Sequence, residues 1–388
     1  MNIDPVWLLL GLPVAFALGW LASRLDLHQL RTENRTAPKA YFKGLNHLLN
    51  EQQDAAIDAF IEAVQKDPDT TELHFALGSL FRRRGEYERA IRVHQHLLAR
   101  ADISAADRAR AQHGLSMDFL KAGLLNLAEE SLRKLDGTAY AESARLSLLH
   151  IYESSRDWPH AEKMAQVLQA AGDAQDFSQR RSHYLCEQAQ EALQKQQPDI
   201  ACNLLQQAID LAPQAVRPRI QLALIRQRQE RPQAALEQLE QAIAYAPAST
   251  PLFARMYAEL AQACGRTEQA HAQLQALQKE MPSIDQVEAL IWLEQKDETR
   301  DREHAGADHY ITHLQGSPSL IAAARWLLAK KLAGDPNQAV IERALQHAVR
   351  PLGRYRCAAC GFEAQSHYWQ CPGCHSWDSY PPRRIEEL

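Results

Sequence analysis

The chain has 388 residues, with 43 Lys and Arg against 48 Asp and Glu, giving a formal net charge of −5. This length is too great for one compact core and predicts two or three folding units, while the mildly acidic charge, with no obvious basic face, argues against nucleic acid as the default partner. Ala, Leu, Gln, Glu and Arg dominate and strand signals are few, so the predicted fold class is all-α.

The first predicted element is an apolar helix. Pro5 to Ser23 carries no charge, and its nineteen residues would make a helix about 28 Å long, close to the thickness of a bilayer core. Pro13 is tolerable in such a segment. Only Asp4 precedes it, whereas Arg24, Arg31, Arg35 and Lys39 follow, which places the N-terminus outside and the body in the cytoplasm. Residues 1–23 are therefore expected to be a transmembrane anchor and 24–36 a juxtamembrane linker. A cleaved signal peptide is the competing reading; Ala15-Phe16-Ala17 resembles a cleavage site, but the basic leading region is missing.

An internal repeat decides the fold of the middle. Ala201, Leu205, Ala208 and Pro213 recur 34 residues later as Ala235, Leu239, Ala242 and Pro247. The same frame fits Gly44, Ala56, Phe60, Ala63 and Pro68, then Leu77, Gly78, Phe81 and Ala90, with two looser units around Phe119 and Tyr152 and a later unit holding Ala258, Ala261, Ala270, Leu274 and Pro282. This is the tetratricopeptide repeat (TPR) pattern, in which small residues let two helices approach and large ones fill the gap to the next pair. Seven units are expected over 37–284, stacked as a superhelical solenoid, and two degenerate helical pairs over 285–350. Asp335-Pro336 is the expected start of the last helix. The breakers Gln197-Pro198, Arg231-Pro232 and Gly265, read as lying between units, argue against a coiled coil.

A TPR array normally presents a groove to a protein segment. Arg82, Arg83, Arg219 and Arg226 are the candidate partner-binding residues, suited to an acidic segment; a solvated face or a stabilised helix C-terminus is the plainer reading for the Arg82–Arg84 run. No phosphate loop, zinc-protease motif or nucleophile–base set is present, so the chain is expected not to be an enzyme. His304, His309 and His313 share part of a helix face and read as surface residues. Cys186, Cys202 and Cys264 read as ordinary packed residues.

The last element, 351–388, carries Cys357-Ala-Ala-Cys360 and Cys371-Pro-Gly-Cys374, two C-x-x-C pairs ten residues apart. Each pair can wrap a tight turn, and together Cys357, Cys360, Cys371 and Cys374 supply the four sulfurs that one Zn or Fe ion accepts. Gly361, Pro372 and Gly373 suit such turns, and Tyr355, Phe362, Tyr368, Trp369 and Trp377 form an aromatic coat. Two disulfides are the alternative, which a cytoplasmic body disfavours. With four thiolates available, His367 and His375 are not needed as ligands.

An uncharged N-terminal helix, a TPR array and a terminal Tyr-x-Cys-x-x-Cys-Gly…Trp-x-Cys-Pro-x-Cys unit together resemble the lipopolysaccharide assembly protein B family. The stretches that carry the resemblance are Leu80–His94 and Arg354–Cys374. It implies an inner-membrane, single-pass protein with a periplasmic N-terminus and a cytoplasmic body. It also implies an adaptor that presents the lipid A deacetylase LpxC to the membrane protease FtsH, with other inner-membrane proteins of lipopolysaccharide regulation as further partners. A rubredoxin-like unit holding iron through Cys357, Cys360, Cys371 and Cys374 is implied to dock on the TPR superhelix. This chain departs from the rubredoxin pattern at His375, where a Gly is usual, and in its short ten-residue linker, which argues against electron transfer. We expect the metal unit to be a staple: a tail of this size has too little core of its own, and its aromatic coat exceeds what it can bury internally. The alternatives are a rubredoxin-type redox protein and a zinc-ribbon nucleic-acid binder using Arg354, Arg356, Arg383 and Arg384, the latter weakened by Glu386-Glu387. Gly11 and Gly19 in the anchor allow a homodimer.

Overall fold

The computed structural model describes residues 16, 20, 42–47, 49–50, 52–66, 70–172, 176–295, 305–329 and 338–388. The predicted anchor at 1–23 lies outside the described residues apart from Phe16 and Trp20, which are helical and exposed. Asp335-Pro336 also lies outside them. Among the described residues no helix is long and apolar enough to cross a membrane.

The described chain is a succession of helices that divides into two compact units, one ending at Ser155 and one beginning at Arg156. The first holds α1 (Gln53–Lys66), α2 (Thr71–Arg84), α3 (Tyr87–Ala99), α4 (Ala105–Lys121), α5 (Leu125–Arg133) and α6 (Ala141–Ser155). The second holds α7 (Trp158–Ala170), α8 (Ser178–Gln194), α9 (Pro198–Leu211), α10 (Val216–Arg228) and α11 (Pro232–Tyr245). A short 3-10 turn, Pro247–Leu252, leads to α12 (Ala254–Ala263), α13 (Thr267–Glu280), α14 (Ile284–Gln295), α15 (Ala305–Gly316), α16 (Leu320–Ala329) and α17 (Gln338–Val349). The C-terminal segment adds two antiparallel two-residue strands, β1 (Tyr355–Arg356) and β2 (Glu363–Ala364), and a final turn, Ile385–Glu387.

The 34-residue period is visible in the burial. Ala201, Leu205 and Ala208 of α9 and Ala235, Leu239 and Ala242 of α11 are all fully buried, because these positions face the partner helix of their own pair. The turns repeat as well. Gly85, Gly123, Arg156, Gln196, Glu230 and Gly265 all take left-handed φ, between 58° and 83°. After five of these turns an N–H reaches back to a carbonyl of the preceding helix, as in Glu86 to Phe81 (2.9 Å), Leu124 to Phe119 (2.9 Å), Gln197 to Ala192 (2.9 Å), Arg231 to Arg226 (3.0 Å) and Arg266 to Ala261 (2.8 Å). This bond is the Schellman closure that ends a helix cleanly.

Three expectations need correction. Gln197-Pro198, Arg231-Pro232 and Gly265 do not separate repeats; they lie inside them, with Pro198 and Pro232 opening α9 and α11, the second helices of their pairs, and Gly265 turning between α12 and α13. Proline suits this first helical position because its missing N–H would have no intrahelical partner there. The prolines that follow the pairs are Pro213 and Pro247, two residues beyond Leu211 and Tyr245.

In the first unit one large position, 34 residues after Phe60, has an unusual occupant. His94 of α3 is buried between Gly78 of α2 and Gly114 of α4, where a Cβ added to either glycine would sit 2.6 Å from the imidazole. Its Nδ1 lies 2.6 Å from the carboxylate of the fully buried Asp118, whose other oxygen accepts from Arg82 at 2.8 Å. Three helices are thereby tied by one polar group that has partners on both sides.

Candidate metal centre and its docking surface

Each C-x-x-C pair builds the same local turn. In the first, the Gly361 N–H donates to the Cys357 carbonyl at 2.9 Å, and in the second the His375 N–H donates to the Cys371 carbonyl at 2.9 Å. Both residues are left-handed, Gly361 at φ 78° and His375 at φ 59°. The expected departure at His375 is therefore accommodated by the backbone a glycine would adopt, a conformation that costs a side-chain-bearing residue about 1 kcal/mol. Strands β1 and β2 lead the first pair into its turn, and Cys357 N–H donates to the Phe362 carbonyl at 2.9 Å.

The four sulfurs converge. Cys357 Sγ and Cys374 Sγ are 3.8 Å apart, Cys360 Sγ and Cys371 Sγ 3.6 Å apart, and all four lie within 4.8 Å of one another. A tetrahedral ion with metal–sulfur bonds of about 2.3 Å spaces its ligands about 3.8 Å apart, so the quartet fits Zn or Fe and is too open for disulfides. The chemistry of the donor set agrees. Burial works against the Cys357 thiolate, but the Ser379 hydroxyl and nearby N–H groups outweigh it and bring that thiol down to about 6. The Ser376 hydroxyl lowers Cys374. Cys360 has the Phe362 N–H to help it ionise, yet burial and the three neighbouring sulfurs push it up to about 12. Four crowded sulfurs resist carrying four charges until a cation shares them.

The unit is seated on the helices of the second compact unit. Trp377 stacks on His183 of α8 at 4.8 Å and 16°, and meets Trp158 of α7 and Tyr184 of α8 edge-on at 5.9 Å each. Asp378 accepts from His183 Nε2 at 2.8 Å. Leu252 packs against the buried set of Tyr355, Cys357, Cys371 and Tyr380. Arg384 forms a paired contact with Asp285 of α14, at 2.9 and 2.7 Å, with its guanidinium 4.3 Å above the Tyr355 ring. The final carboxylates cap two helices: Glu387 accepts from the Ile284 N–H that opens α14 at 2.6 Å, and Glu386 accepts from the Ile321 N–H of α16 at 3.1 Å. Negative charge at a helix N-terminus is favourable, so these residues do for α14 and α16 what a capping side chain does. The aromatic coat divides: Trp377 is docked, whereas Phe362 and Tyr368 stay exposed.

The candidate groove arginines fall into different settings. Arg82 is tied to Asp118 and to the Gly114 carbonyl at 2.9 Å. Arg219 is buried, donates to Gln241 at 2.6 Å and to the Pro213 carbonyl at 3.2 Å, and lies 4.9 Å above the Tyr245 ring. Both act inside the chain as placed. Arg226 is half-buried and donates to Gln229 at 3.2 Å, and Arg83 is exposed. The docking residues His183 and Asp378 carry no sequence signal, because each looks like a lone polar residue until the fold brings them together. His367 donates to or accepts from no sulfur; its Nε2 lies 3.0 Å from the Tyr380 carbonyl.

Comparison with known proteins gives two family matches, a rubredoxin metal binding domain over residues 355–381 and a tetratricopeptide repeat over residues 73–109. The chain is 30% identical over 385 residues to lipopolysaccharide assembly protein B of Escherichia coli strain K12, spanning 97% of this chain and 98% of that protein. It is 27% identical over 401 residues to the protein of the same name from Haemophilus influenzae, spanning 98% of each. Among solved structures, a tetratricopeptide repeat protein from Parabacteroides merdae is similar at 12% identity, with a TM-score of 0.31 over 76% of this chain and 98% of that one.

Proposed function

The chain belongs to the lipopolysaccharide assembly protein B family, and from that premise we propose that it is a membrane-anchored TPR adaptor in lipopolysaccharide synthesis. In this reading residues 1–23 anchor it in the inner membrane with the N-terminus periplasmic, 24–36 link the anchor to a cytoplasmic body, 37–284 are the TPR repeats, 285–350 the degenerate pairs and 351–388 the metal unit. The adaptor brings the deacetylase LpxC to the protease FtsH, and confinement under the membrane raises the effective concentration of the one for the other. Cys357, Cys360, Cys371 and Cys374 hold one Zn or Fe ion; when bound, the ion supplies cross-links and charge neutralisation.

The observation that carries the reading is the seating of the metal unit across α7, α8, α14 and α16 through Trp377, Arg384, Glu386 and Glu387. A tail that ties distant helices together is a device for holding a binding surface in shape, the task of an adaptor rather than of an electron carrier. The nucleic-acid reading is weakened in the same place: Arg354 and Arg356 pair with Glu363, and Arg384 with Asp285. Of the four arginines suggested for partner contact, Arg83 is exposed and Arg226 is half-buried with a bond to Gln229.

Reconstitution tests the proposal. The full chain is placed in vesicles with FtsH, and LpxC turnover is followed with and without it. Faster turnover with the chain supports the adaptor; equal turnover rejects it.

A further inference from the structure

Away from the cysteines, three metal-ligating side chains from three helices meet. His271 of α13 places Nε2 2.8 Å from Glu294 Oε1, and His309 of α15 places Nε2 2.9 Å from Glu294 Oε2. The three ligand atoms lie within 4.8 Å of one another, and the two rings stand edge to face at 6.3 Å. Glu294 of α14 is buried, with 9% of its side chain exposed, while the histidines keep 20% and 19%. Burial alone would raise the Glu294 carboxyl, but the two imidazoles outweigh it and hold it below the ordinary carboxylate range.

We propose that His271, Glu294 and His309 form a second metal site, for a divalent transition ion of the Zn²⁺ class. The donor set is the first reason: two imidazoles and a carboxylate are borderline ligands that suit Zn²⁺ and its neighbours, and a hard ion such as Mg²⁺ would want more oxygens. Spacing is the second. A tetrahedral ion with bonds of about 2.0–2.1 Å separates its ligand atoms by about 3.3 Å, a few tenths of an ångström more than the present nitrogen–oxygen distances. The ion enters as each Nε2 gives up its proton, to solvent from an imidazolium or to Nδ1 of the same ring from a neutral imidazole, so that two neutral imidazoles bind it with a small outward movement of the rings. Access is the third: the partly exposed histidines leave an approach from solvent, and three protein ligands leave a fourth position for water.

Such an ion would bind α13, in the last of the recognisable repeats, to α14 and α15 at the start of the degenerate stretch. The histidine run does not show this in sequence. His309 joins the cluster, His313 instead bonds Gln278 at 2.8 Å, and His304 lies outside the described residues.

The rival is a metal-free cluster in which the imidazoles only hydrogen-bond the carboxylate. Metal-depleted full chain, titrated with Co²⁺, separates the two. The cysteine site announces itself by sulfur-to-metal charge transfer in the near ultraviolet, which a nitrogen–oxygen site lacks. The proposal expects two ions per chain, the second giving visible d–d bands without added charge transfer. Glu294→Gln and His271→Asn should each lower uptake to one ion while the sulfur band stays whole, which also reports that the variants are folded. His160→Asn, at an exposed histidine, should leave two. Uptake of a single ion by the unaltered chain, or of two by both cluster variants, would overturn the proposal.

Discussion

The imidazole of His183 lies flat on the indole of Trp377, 4.8 Å between centroids, while its Nε2 meets the carboxylate of Asp378 next along the chain. One residue of α8 thus grips the metal unit by an apolar face and a polar edge at once. Trp377 also closes on Trp158 and Tyr184, so its loss removes the centre of the contact. Trp377→Ala is expected to destabilise the second compact unit by about 3 kcal/mol, the low end for burying and then deleting a tryptophan, because the side chain is only partly buried. Chemical denaturation of the purified chain checks this.

Metal removal should act at the same surface from the other side. The unit has two strands of two residues each and four buried core members, Tyr355, Cys357, Cys371 and Tyr380. That is too little to hold a fold without the ion. Chelation, or Cys→Ser at Cys357 and Cys371 together, is expected to open the segment after Val349 to protease while α9 to α12 stay resistant. Equal resistance before and after chelation would show that the segment holds itself.

In the first compact unit the test is steric. Gly78→Ala would put a methyl 2.6 Å from the His94 ring, which Gly114 confines on the far side. We expect a loss of about 1–3 kcal/mol, the usual cost of overpacking. Arg82→Ala should cost about 3–5 kcal/mol, since it leaves the fully buried Asp118 with only His94 to answer its charge. Thermal melts of the two variants, set beside Arg83→Ala with no expected change, decide it.

The left-handed turns make a prediction of gain. Gln196, Glu230 and His375 hold φ of 58–59°. Replacing each by Gly relieves a strain of about 1 kcal/mol and adds unfolded-chain freedom of about 0.4–1 kcal/mol, so each change should leave stability unchanged or raised by a few tenths. A clear loss at any of the three would show that its side chain has a contact worth more than the strain.

Much of this was legible in advance, for physical reasons. The period of 34 fixes which alanines face a partner helix, and Ala201, Ala208, Ala235 and Ala242 are indeed fully buried. The spacing of Cys357, Cys360, Cys371 and Cys374 is enough to bring four sulfurs within 4.8 Å. What sequence could not show are contacts between residues far apart in the chain. Arg219 reads as a groove residue until Gln241 and Tyr245 close over it, and Glu386 and Glu387 read as a charged end until they cap α16 and α14. A helix break such as Gln197-Pro198 announces a turn but not which helices the turn pairs.

The most direct test is the half-life of LpxC in the host cell, measured after synthesis is blocked, with this chain present and after its depletion. Rapid loss of the deacetylase is expected when the chain is present, and a lengthened half-life with accumulation when it is gone. A half-life that does not change on depletion would contradict the adaptor role.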